Sequence, residues 1–300
     1  MAAIIFGKLV SIFIMLGIGY LCRKTEIIDT NTKDKLSKLS TQIVNPLLVL
    51  VSFQIEYDVR LLKNMGIAFV LAVAAHLFAI VCSKVLLREK EGFDHVVERI
   101  SVIYSNCGFM GIPLVSAIFG SEGVVYATTF ITVFHMFMWT QGIRLFQSDE
   151  PFSLKKLINP SIVCVAAGLL CFALQIKIPE SPMFALSSVA NMNTPLAMLV
   201  SGAVIGEIHI KEMLVKPRLY VITVFRMILL PVAFCLFLKI LPVDTVVKTV
   251  IGILASCPSA AMGIMLSVIY GRDDAYGAEI FTFTTLISII TMPLCMMILR

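Results

Sequence analysis

The amino-acid sequence predicts an all-α integral membrane protein of ten transmembrane helices, arranged as an inverted five-plus-five repeat in which helices four and nine are broken and meet. The first observation is composition: 59% of the 300 residues are apolar, 14% are charged, and the mean hydropathy is +0.96. A soluble domain keeps about a quarter of its residues charged, so a soluble fold is excluded. The other two observations are the clustering of the charges and an internal repeat.

Ten apolar stretches lie between the charge clusters. Most of them approach or exceed the roughly 20 residues that a helix needs to cross the hydrocarbon core of a bilayer. They are residues 4–22, 36–53, 64–87, 100–119, 123–146, 157–175, 184–206, 217–241, 245–270 and 275–299. The first stretch lacks a basic start and a small-residue cleavage site, so we expect it to stay in the mature protein as a helix.

The distribution of Lys and Arg predicts the orientation of these helices. Sixteen basic residues fall in the odd-numbered connections and five in the even-numbered ones. Because basic residues are retained in the cytoplasm, both termini are expected to be extracytoplasmic, in a multi-pass protein of the cell inner membrane. The net charge of +5 is dispersed over short loops, so no nucleic acid partner is expected. The eight cysteines show no metal-ligand spacing, so no metal site is predicted.

Two pairs of segments indicate an internal repeat. Residues 44–52 match residues 193–201 at five of nine positions, and residues 105–120 align with residues 256–271 at nearly the same offset. Five helices in each half is an odd number, so the second half must enter the membrane from the opposite side, which makes the repeat inverted. The predicted halves of this single membrane domain are residues 1–148 and 149–300.

Glycine and proline interrupt the fourth and ninth stretches. Gly108, Gly111 and Pro113 lie in the fourth stretch, and Pro258 lies in the ninth. Proline removes a backbone donor and clashes with the preceding turn, so each helix is expected to break near its middle. Two such breaks would meet near the membrane midplane, where half-helix N-termini favour an anion. An ordinary proline kink is the alternative interpretation.

The residues around these breaks are the candidate substrate-binding residues. Arg226 lies about nine residues inside the eighth stretch, where a charged side chain is costly unless it faces the helix bundle or a wet cavity. It could act electrostatically on an anionic substrate, or it could be paired structurally with a carboxylate or with backbone carbonyls. The candidate set is Ser105, Asn106, Gly108, Pro113, Arg226, Cys257, Pro258 and Ser259.

A second group of polar side chains is expected to support the site. His76 occupies the repeat position of Arg226, and both it and His135 could be packing residues or proton relays. Glu279 could be an interfacial residue, a partner for Arg226 or a proton carrier. Trp139 shares a helical face with His135, a pattern that favours contacts between helices over a solute path. The supporting residues are Asn45, Asn193, His76, His135 and Glu279.

Four short motifs occur in order along the chain. They are Asn45-Pro46 in the second stretch, residues 106–113 in the fourth, Asn159-Pro160 at the start of the sixth, and the threonine-rich residues 283–293 in the tenth. Together they resemble the auxin efflux carrier family, which includes bacterial permeases for malate, malonate and related acids. The resemblance covers essentially the whole chain.

This resemblance implies a scaffold and a transport bundle built from ten helices. It implies that helices four and nine cross at Pro113 and Pro258, and that a substrate carboxylate binds beside the crossing at Asn106. Cys257 takes the repeat position of Asn106, so a clamp of two asparagines is in doubt. The connection between stretches five and six has only about a dozen residues, which is similar to a prokaryotic permease and makes auxin itself an unexpected substrate.

The expected function is secondary active transport of a small organic anion, a mono- or dicarboxylate of the malate or malonate kind, by alternating access. No cofactor is expected, and coupling to H⁺ or Na⁺ is left open. An anion channel or facilitator and an intramembrane enzyme are the alternatives, although the sequence has no Walker motif and no catalytic motif within the stretches, so an enzyme is not expected. The expected partners are the organic anion and the lipid bilayer, and a homodimer is possible.

Overall fold

A computed structural model describes residues 2–56, 58–146 and 160–299. Within these ranges the regular secondary structure is helical, and one isolated extended pairing joins Ser105 to Ser259. The predicted start of the sixth stretch at residues 157–159, which includes Asn159, and the predicted boundary at 148/149 lie outside the described residues.

Sixteen α-helices follow one another within the described ranges. The first eight are α1 (Ala2–Lys24), α2 (Thr30–Leu39), α3 (Asn45–Ser52), α4 (Val59–Leu86), α5 (His95–Ile103), α6 (Ile112–Phe137), α7 (Ile143–Phe146) and α8 (Pro160–Ala173). The other eight are α9 (Glu180–Ala190), α10 (Asn193–Glu207), α11 (Ile210–Leu214), α12 (Pro217–Val224), α13 (Leu230–Ile240), α14 (Thr245–Ser256), α15 (Ala261–Ile269) and α16 (Asp274–Ile298). Four π-helical turns join or precede these helices, at Ser40–Val44, Cys107–Gly111, Met138–Gly142 and Phe225–Leu229.

Five helical segments of the described chain are long and apolar enough to cross a membrane, by length and composition. They are Val59–Leu86, Cys107–Phe146, Glu180–Glu207, Pro217–Ile240 and Asp274–Ile298. Helix α2 is different, because its residues are mostly polar and none of them is buried. The fold is therefore a bundle of long apolar helices with at least one short polar helix at its surface.

Aspartates fix where several of these helices begin. Each caps the first turn of a helix, where its carboxylate accepts a hydrogen bond from a backbone amide that has no partner within the helix. The five caps precede α2, α4, α5, α14 and α16, at Asp29, Asp58, Asp94, Asp244 and Asp273. The polar residues between apolar stretches therefore serve as helix starts as well as connections.

Helices α1 and α10 pack with their backbones in close approach. A Cβ atom on Gly202 would overlap the carbonyl oxygen of Leu16, and one on Gly19 would overlap the carbonyl oxygen of Leu199. Small residues allow membrane helices to approach this closely, which increases the van der Waals contact between them. This pair is consequently a tightly packed unit beside the broken helices.

A left-handed glycine follows each of the two broken helices. Gly120 has φ of +60° and ψ of −148°, and it ends the helical course that begins at Cys107. Gly271 has φ of +62° and lies between α15 and α16. Only glycine adopts the Gly120 conformation without strain. The two glycines therefore allow the chain to turn, Gly120 into the second part of α6 and Gly271 into α16.

The first helix interruption lies earlier than the proline pattern predicted. The chain leaves helical geometry at residues 104–106, while Pro113 is the second residue of α6. A proline inside a membrane helix is tolerated where a local π adjustment re-satisfies the backbone, and Pro113 closely follows the π-turn Cys107–Gly111. The second interruption, at residues 257–260, does contain Pro258. Pro113 thus lies beyond the first break, in the helical course that starts at Cys107.

Candidate functional site

The two helix interruptions pair with each other through their backbones. The amide of Asn106 donates to the carbonyl oxygen of Pro258 over 2.7 Å, and the amide of Ala260 donates to that of Tyr104 over 3.0 Å. Ser105 and Ser259 therefore face each other in an antiparallel bridge. Non-helical backbone deep in a membrane protein must satisfy its polar groups within the protein. Each interruption meets this requirement through the other.

Arg226 holds the helix ends that lead into this pairing. Its Nε and Nη2 donate to the carbonyl oxygen of Cys257 over 3.1 and 2.8 Å, and Nη2 also donates to that of Ala255 over 2.9 Å. Its Nη1 donates to the carbonyl oxygen of Val102 over 3.0 Å. These carbonyls lie at the C-terminal ends of α14 and α5, so one guanidinium caps both helices.

The charge of Arg226 is matched by these helix ends. The partners that the described chain gives the guanidinium are all carbonyl oxygens. A helix C-terminus is equivalent to about −0.5 elementary charge, so two of them offset roughly one positive charge. Glu279 instead accepts two hydrogen bonds from Lys216 Nζ, both at 2.7 Å. The structure therefore gives Arg226 the role of pairing with backbone carbonyls at the break.

A cavity of about 340 Å³ lies beside the paired interruptions. Small-molecule sites in proteins have volumes of roughly 300–1,000 Å³, so this cavity is large enough for a small ligand. Its lining residues come from α2 and α3, both interruptions, α6, α8 and α15 with the π-turns between them: Ser37, Thr41, Gln42, Asn45, Ser105, Asn106, Cys107, Gly108, Phe109, Ile131, Phe134, His135, Trp139, Pro160, Ala260, Ala261, Met262 and Met265.

One end of the cavity is formed by two helix N-termini. The turn that begins at Cys107 leads into α6, α15 begins at Ala261, and neither start has a side-chain cap. The first amides of a helix have no partner within it and point outward from its N-terminus. Residues 107–108 and 260–262 all line the cavity. Helix N-termini from both halves of the crossing therefore border this end of the cavity.

The remaining wall of the cavity is largely apolar and uncharged. Phe109, Ile131, Phe134, Met262 and Met265 contribute aromatic and aliphatic surface. No Asp, Glu, Lys or Arg lines it within the described residues. A ligand in this cavity would meet polar groups at defined points and an apolar surface elsewhere.

Several buried polar atoms at the cavity lack a protein partner. Asn45 Oδ1, His135 Nδ1 and Trp139 Nε1 have no hydrogen bond within the described part of the chain. The Asn106 side chain, whose backbone takes part in the pairing, also lines the cavity. Buried polar groups are nearly always hydrogen-bonded, so these atoms mark the cavity as a place for a ligand or for water.

The structure separates the predicted site residues into three groups. The first group lines the cavity and contains Ser105, Asn106, Gly108, Asn45 and His135. The second builds the pairing behind it and contains Arg226, Cys257, Pro258 and Ser259. The third does not line this cavity and contains Pro113, His76, Asn193 and Glu279. Of these, His76 lies behind the pairing, where it lines a small cavity of about 20 Å³ with Ser105 and Arg226.

Cys257 and His76 have structural contacts in place of ligand contacts. The Cys257 thiol donates to the carbonyl oxygen of Ile253 over 3.3 Å, so the repeat mate of Asn106 does not line the cavity. His76 Nδ1 is 2.8 Å from the carbonyl oxygen of Ala72, and its ring stacks on Phe137 at a centroid distance of 5.3 Å. His76 is consequently a packing residue of the aromatic cluster.

Sequence reasoning missed two features of the site region. Ser37, Thr41 and Gln42 line the cavity, but they lie within the second apolar stretch, residues 36–53, and were not among the candidate site residues. Glu98 is fully buried and accepts from Nε and Nη2 of Arg218, both over 2.7 Å. It lies two residues before a predicted apolar stretch, and a wider search for acids flanking the stretches would have found it.

The described chain is a helical bundle with a ligand-sized cavity at interrupted helices, an arrangement typical of membrane transport proteins. The model of the family described as membrane transport protein matches residues 4–153 and again residues 147–296. The chain therefore belongs to this family, that of the auxin efflux carriers, and is a multi-pass membrane protein that transports a substrate. The family predicted from the motifs is confirmed. No curated protein matches the chain.

Proposed function

We propose that this protein is a secondary active transporter of a small organic anion, a mono- or dicarboxylate of the malate or malonate kind. The observation that carries the proposal is the polarity of the crossing. The C-terminal ends of α5 and α14 are offset by Arg226, whereas the N-terminal ends at Cys107 and Ala261 line the cavity without side-chain caps. The ligand side of the crossing is thus the positive side.

The charge of the crossing favours a single ionised carboxylate. Two helix N-termini supply about half a positive charge each, or roughly one in total. No charged side chain occurs among the described lining residues. An anion of one negative charge would therefore neutralise the charge of the two helix N-termini. A dicarboxylate would fit this balance with its second group protonated, so its transport would include a proton.

The carboxylate is proposed to lie between the two helix starts. Backbone amides at residues 107–108 and 261–262 and the side chain of Asn106 are its donors. Asn45, whose side-chain amide can both donate and accept, lies across the cavity with Oδ1 unpaired among the described residues. Ser105 lines the same end, while Ser259 and Pro258 hold the backbone in place.

The proposed architecture has ten membrane spans in two inverted halves, residues 1–148 and 149–300. Helix occurs in each predicted stretch, and the breaks at 104–106 and 257–260 pair in antiparallel fashion, as an inverted repeat requires. Gly120 and Gly271 have nearly equal φ values after the two breaks. With both termini extracytoplasmic in the cell inner membrane, the cavity lies on the cytoplasmic side, where α2 and the start of α8 contribute to it.

Alternating access is proposed over a channel, a facilitator or an enzyme. The larger cavity lies on one side of the crossing, and the other side holds the Arg226 guanidinium, His76 and Ile103 around a cavity of only about 20 Å³. Such a site opens to one face at a time. Coupling to H⁺ or Na⁺ is part of the proposal and is to be resolved by imposed gradients.

Uptake and counterflow in proteoliposomes test this function. We expect saturable uptake of labelled carboxylates, acceleration by unlabelled acid inside the vesicles, and dependence on an imposed pH or sodium gradient. Asn106→Ala should weaken substrate affinity about tenfold, because it removes a donor to a charged group. Unsaturable, voltage-driven currents without counterflow would contradict a carrier. Unchanged kinetics in Asn106→Ala would contradict the carboxylate position.

A further inference from the structure

We infer that the substrate carries a hydrogen-bond acceptor away from its carboxylate, and that Trp139 is the residue that recognises this second group. This inference rests on the proposed function, since it places the carboxylate at the helix starts. It names a narrower substrate class: monoanions with a distal keto, hydroxyl or protonated carboxyl oxygen.

Trp139 presents a buried donor to the cavity. Its Nε1 has no hydrogen bond partner among the described residues and is shielded from solvent, and the residue lines the cavity wall. The indole nitrogen can only donate. An aromatic residue needed only for packing would be as well served by phenylalanine, which has no donor to leave unpaired. The partner expected for this N–H is therefore an acceptor atom on the ligand.

The backbone around Trp139 is a π-helical turn. The turn spans Met138–Gly142, and π-turns inside helices occur frequently at functional sites. The other π-turns of the described chain follow the same rule: Ser40–Val44 carries the lining residues Thr41 and Gln42, Cys107–Gly111 begins at the crossing, and Phe225–Leu229 carries Arg226. The turn at Trp139 thus belongs to a set that surrounds the site.

A hydrogen bond joins the π-turn that carries Trp139 to the first interruption. The hydroxyl of Tyr104, a residue of the first interruption, donates to Gln141 Oε1 in the same π-turn over 2.7 Å. The Tyr104 ring also packs edge-on against Phe134, at a centroid distance of 5.5 Å. The π-turn that carries Trp139 is therefore tied to the first interruption, beside the helix starts.

His135 extends this second recognition point. It lies one helical turn before Trp139, lines the cavity, and has Nδ1 unpaired within the described chain. A neutral histidine nitrogen donates or accepts depending on its tautomer, so His135 can serve a hydroxyl or a keto group. No cationic side chain accompanies these two residues in the described lining. A second ionised carboxylate would remain unpaired here, whereas its protonated form would be accepted.

Binding of matched acids to the purified protein in detergent tests the inference. The probes are levulinate with pentanoate and acetoacetate with butanoate, pairs of equal chain length that differ in one distal keto oxygen. Trp139 is the single tryptophan of the chain, so its fluorescence reports binding directly. We expect the keto acid of at least one pair to bind about tenfold more tightly than its partner, as one buried hydrogen bond allows. Equal affinities within both pairs would overturn the inference.

Variants assign the preference to the indole N–H. Trp139→Phe, assayed by competition against a labelled acid, should reduce the preference to about twofold or less and leave the plain acids unaffected. Replacement of Trp139 by benzothienylalanine, which keeps the ring shape without the N–H, gives the same comparison if the phenylalanine variant folds poorly. Tyr220→Phe is the matched control, because its hydroxyl bonds the Leu214 carbonyl at an exposed position. A preference retained without the N–H would overturn the inference.

Asn106→Ala separates this inference from the proposed function. It should weaken both acids of a pair equally, which leaves the keto preference intact. If Asn106→Ala changes neither acid while the loss of the N–H removes the preference, the carboxylate position fails and the role of Trp139 stands. If Asn106→Ala weakens both acids but no pair shows a preference, the proposed function stands and the inference fails.

Discussion

Arg226 and Cys257 are joined by two hydrogen bonds from one guanidinium to one carbonyl oxygen, over 3.1 and 2.8 Å. That carbonyl belongs to the first residue of the second interruption, just beyond the end of α14. The arginine therefore supplies donors to carbonyl oxygens that the interruption leaves without helical partners. It acts on the site through the backbone, and a substrate would meet the far side of the crossing.

Removal of this guanidinium should destabilise the fold. We expect Arg226→Met to lower the free energy of unfolding by about 3–5 kcal/mol, because it leaves buried carbonyl oxygens at Val102, Ala255 and Cys257 without a charged donor. Denaturation of the purified protein in detergent measures the change. Arg272→Met is the control, since the Arg272 side chain is 40% exposed and lies 3.9 Å from Asp94. Equal stability of the two variants would refute the capping role.

The buried ion pair of Glu98 and Arg218 should affect the free energy of unfolding strongly. Glu98 is fully buried, and Tyr276 donates to it over 3.0 Å in addition to the two bonds from Arg218. Glu98→Gln should cost about 3–5 kcal/mol, because it leaves a buried guanidinium without its counter-charge. The double change Glu98→Leu with Arg218→Met should recover most of this loss.

A nearby half-buried pair provides the comparison for Glu98. Lys216 contacts Glu279 over 2.7 Å, and the two side chains are 40% and 14% exposed. Because the lysine keeps much of its hydration, Lys216→Met should change the free energy of unfolding by only about 1 kcal/mol. If Glu98→Gln proves as mild as Lys216→Met in the same denaturation assay, the ion pair at Glu98 has no special weight in stability.

The left-handed glycines after the two breaks should resist substitution. Gly120→Ala and Gly271→Ala should each cost about 1–2 kcal/mol, since their positive φ values disfavour any residue with a Cβ atom. Gly66→Ala is the control, because Gly66 lies inside α4 with open space around it. That change should be neutral or slightly stabilising. If thermal unfolding shows that Gly66→Ala destabilises the protein as much as Gly120→Ala and Gly271→Ala, the positive φ values do not explain the cost.

The sequence predicts this fold well where local chemistry decides it. Long apolar stretches fix the helices, and the internal repeat anticipates that two interruptions meet. Asn106 and Pro258 could be singled out because glycine, proline and polar residues are unusual inside an apolar stretch. The position of the first break at Tyr104 could not be predicted, because it depends on the backbone pairing with Pro258 and Ala260 and not on the nearby Pro113.

The site was harder to predict than the fold, because its geometry depends on contacts between residues that are far apart in the sequence. The partners of Arg226 are backbone carbonyls, which every residue has, so no residue type in the sequence marks them. Trp139 shares a regular helical face with His135, a pattern equally typical of helix packing. Its role depends on the π-turn at Met138–Gly142, whose shifted hydrogen bonding follows from packing against neighbours such as Tyr104.

The account rests on a carboxylate lying between the helix starts at Cys107 and Ala261, and Trp139 fluorescence tests this most directly. Purified protein is titrated with levulinate, pentanoate, malonate and malate, and with the neutral amide of each acid. We predict that at least one acid gives a saturable change that its amide does not give, and that Asn106→Ala weakens this response about tenfold. Equal responses to an acid and its amide, or no saturable response to any acid, would contradict the account.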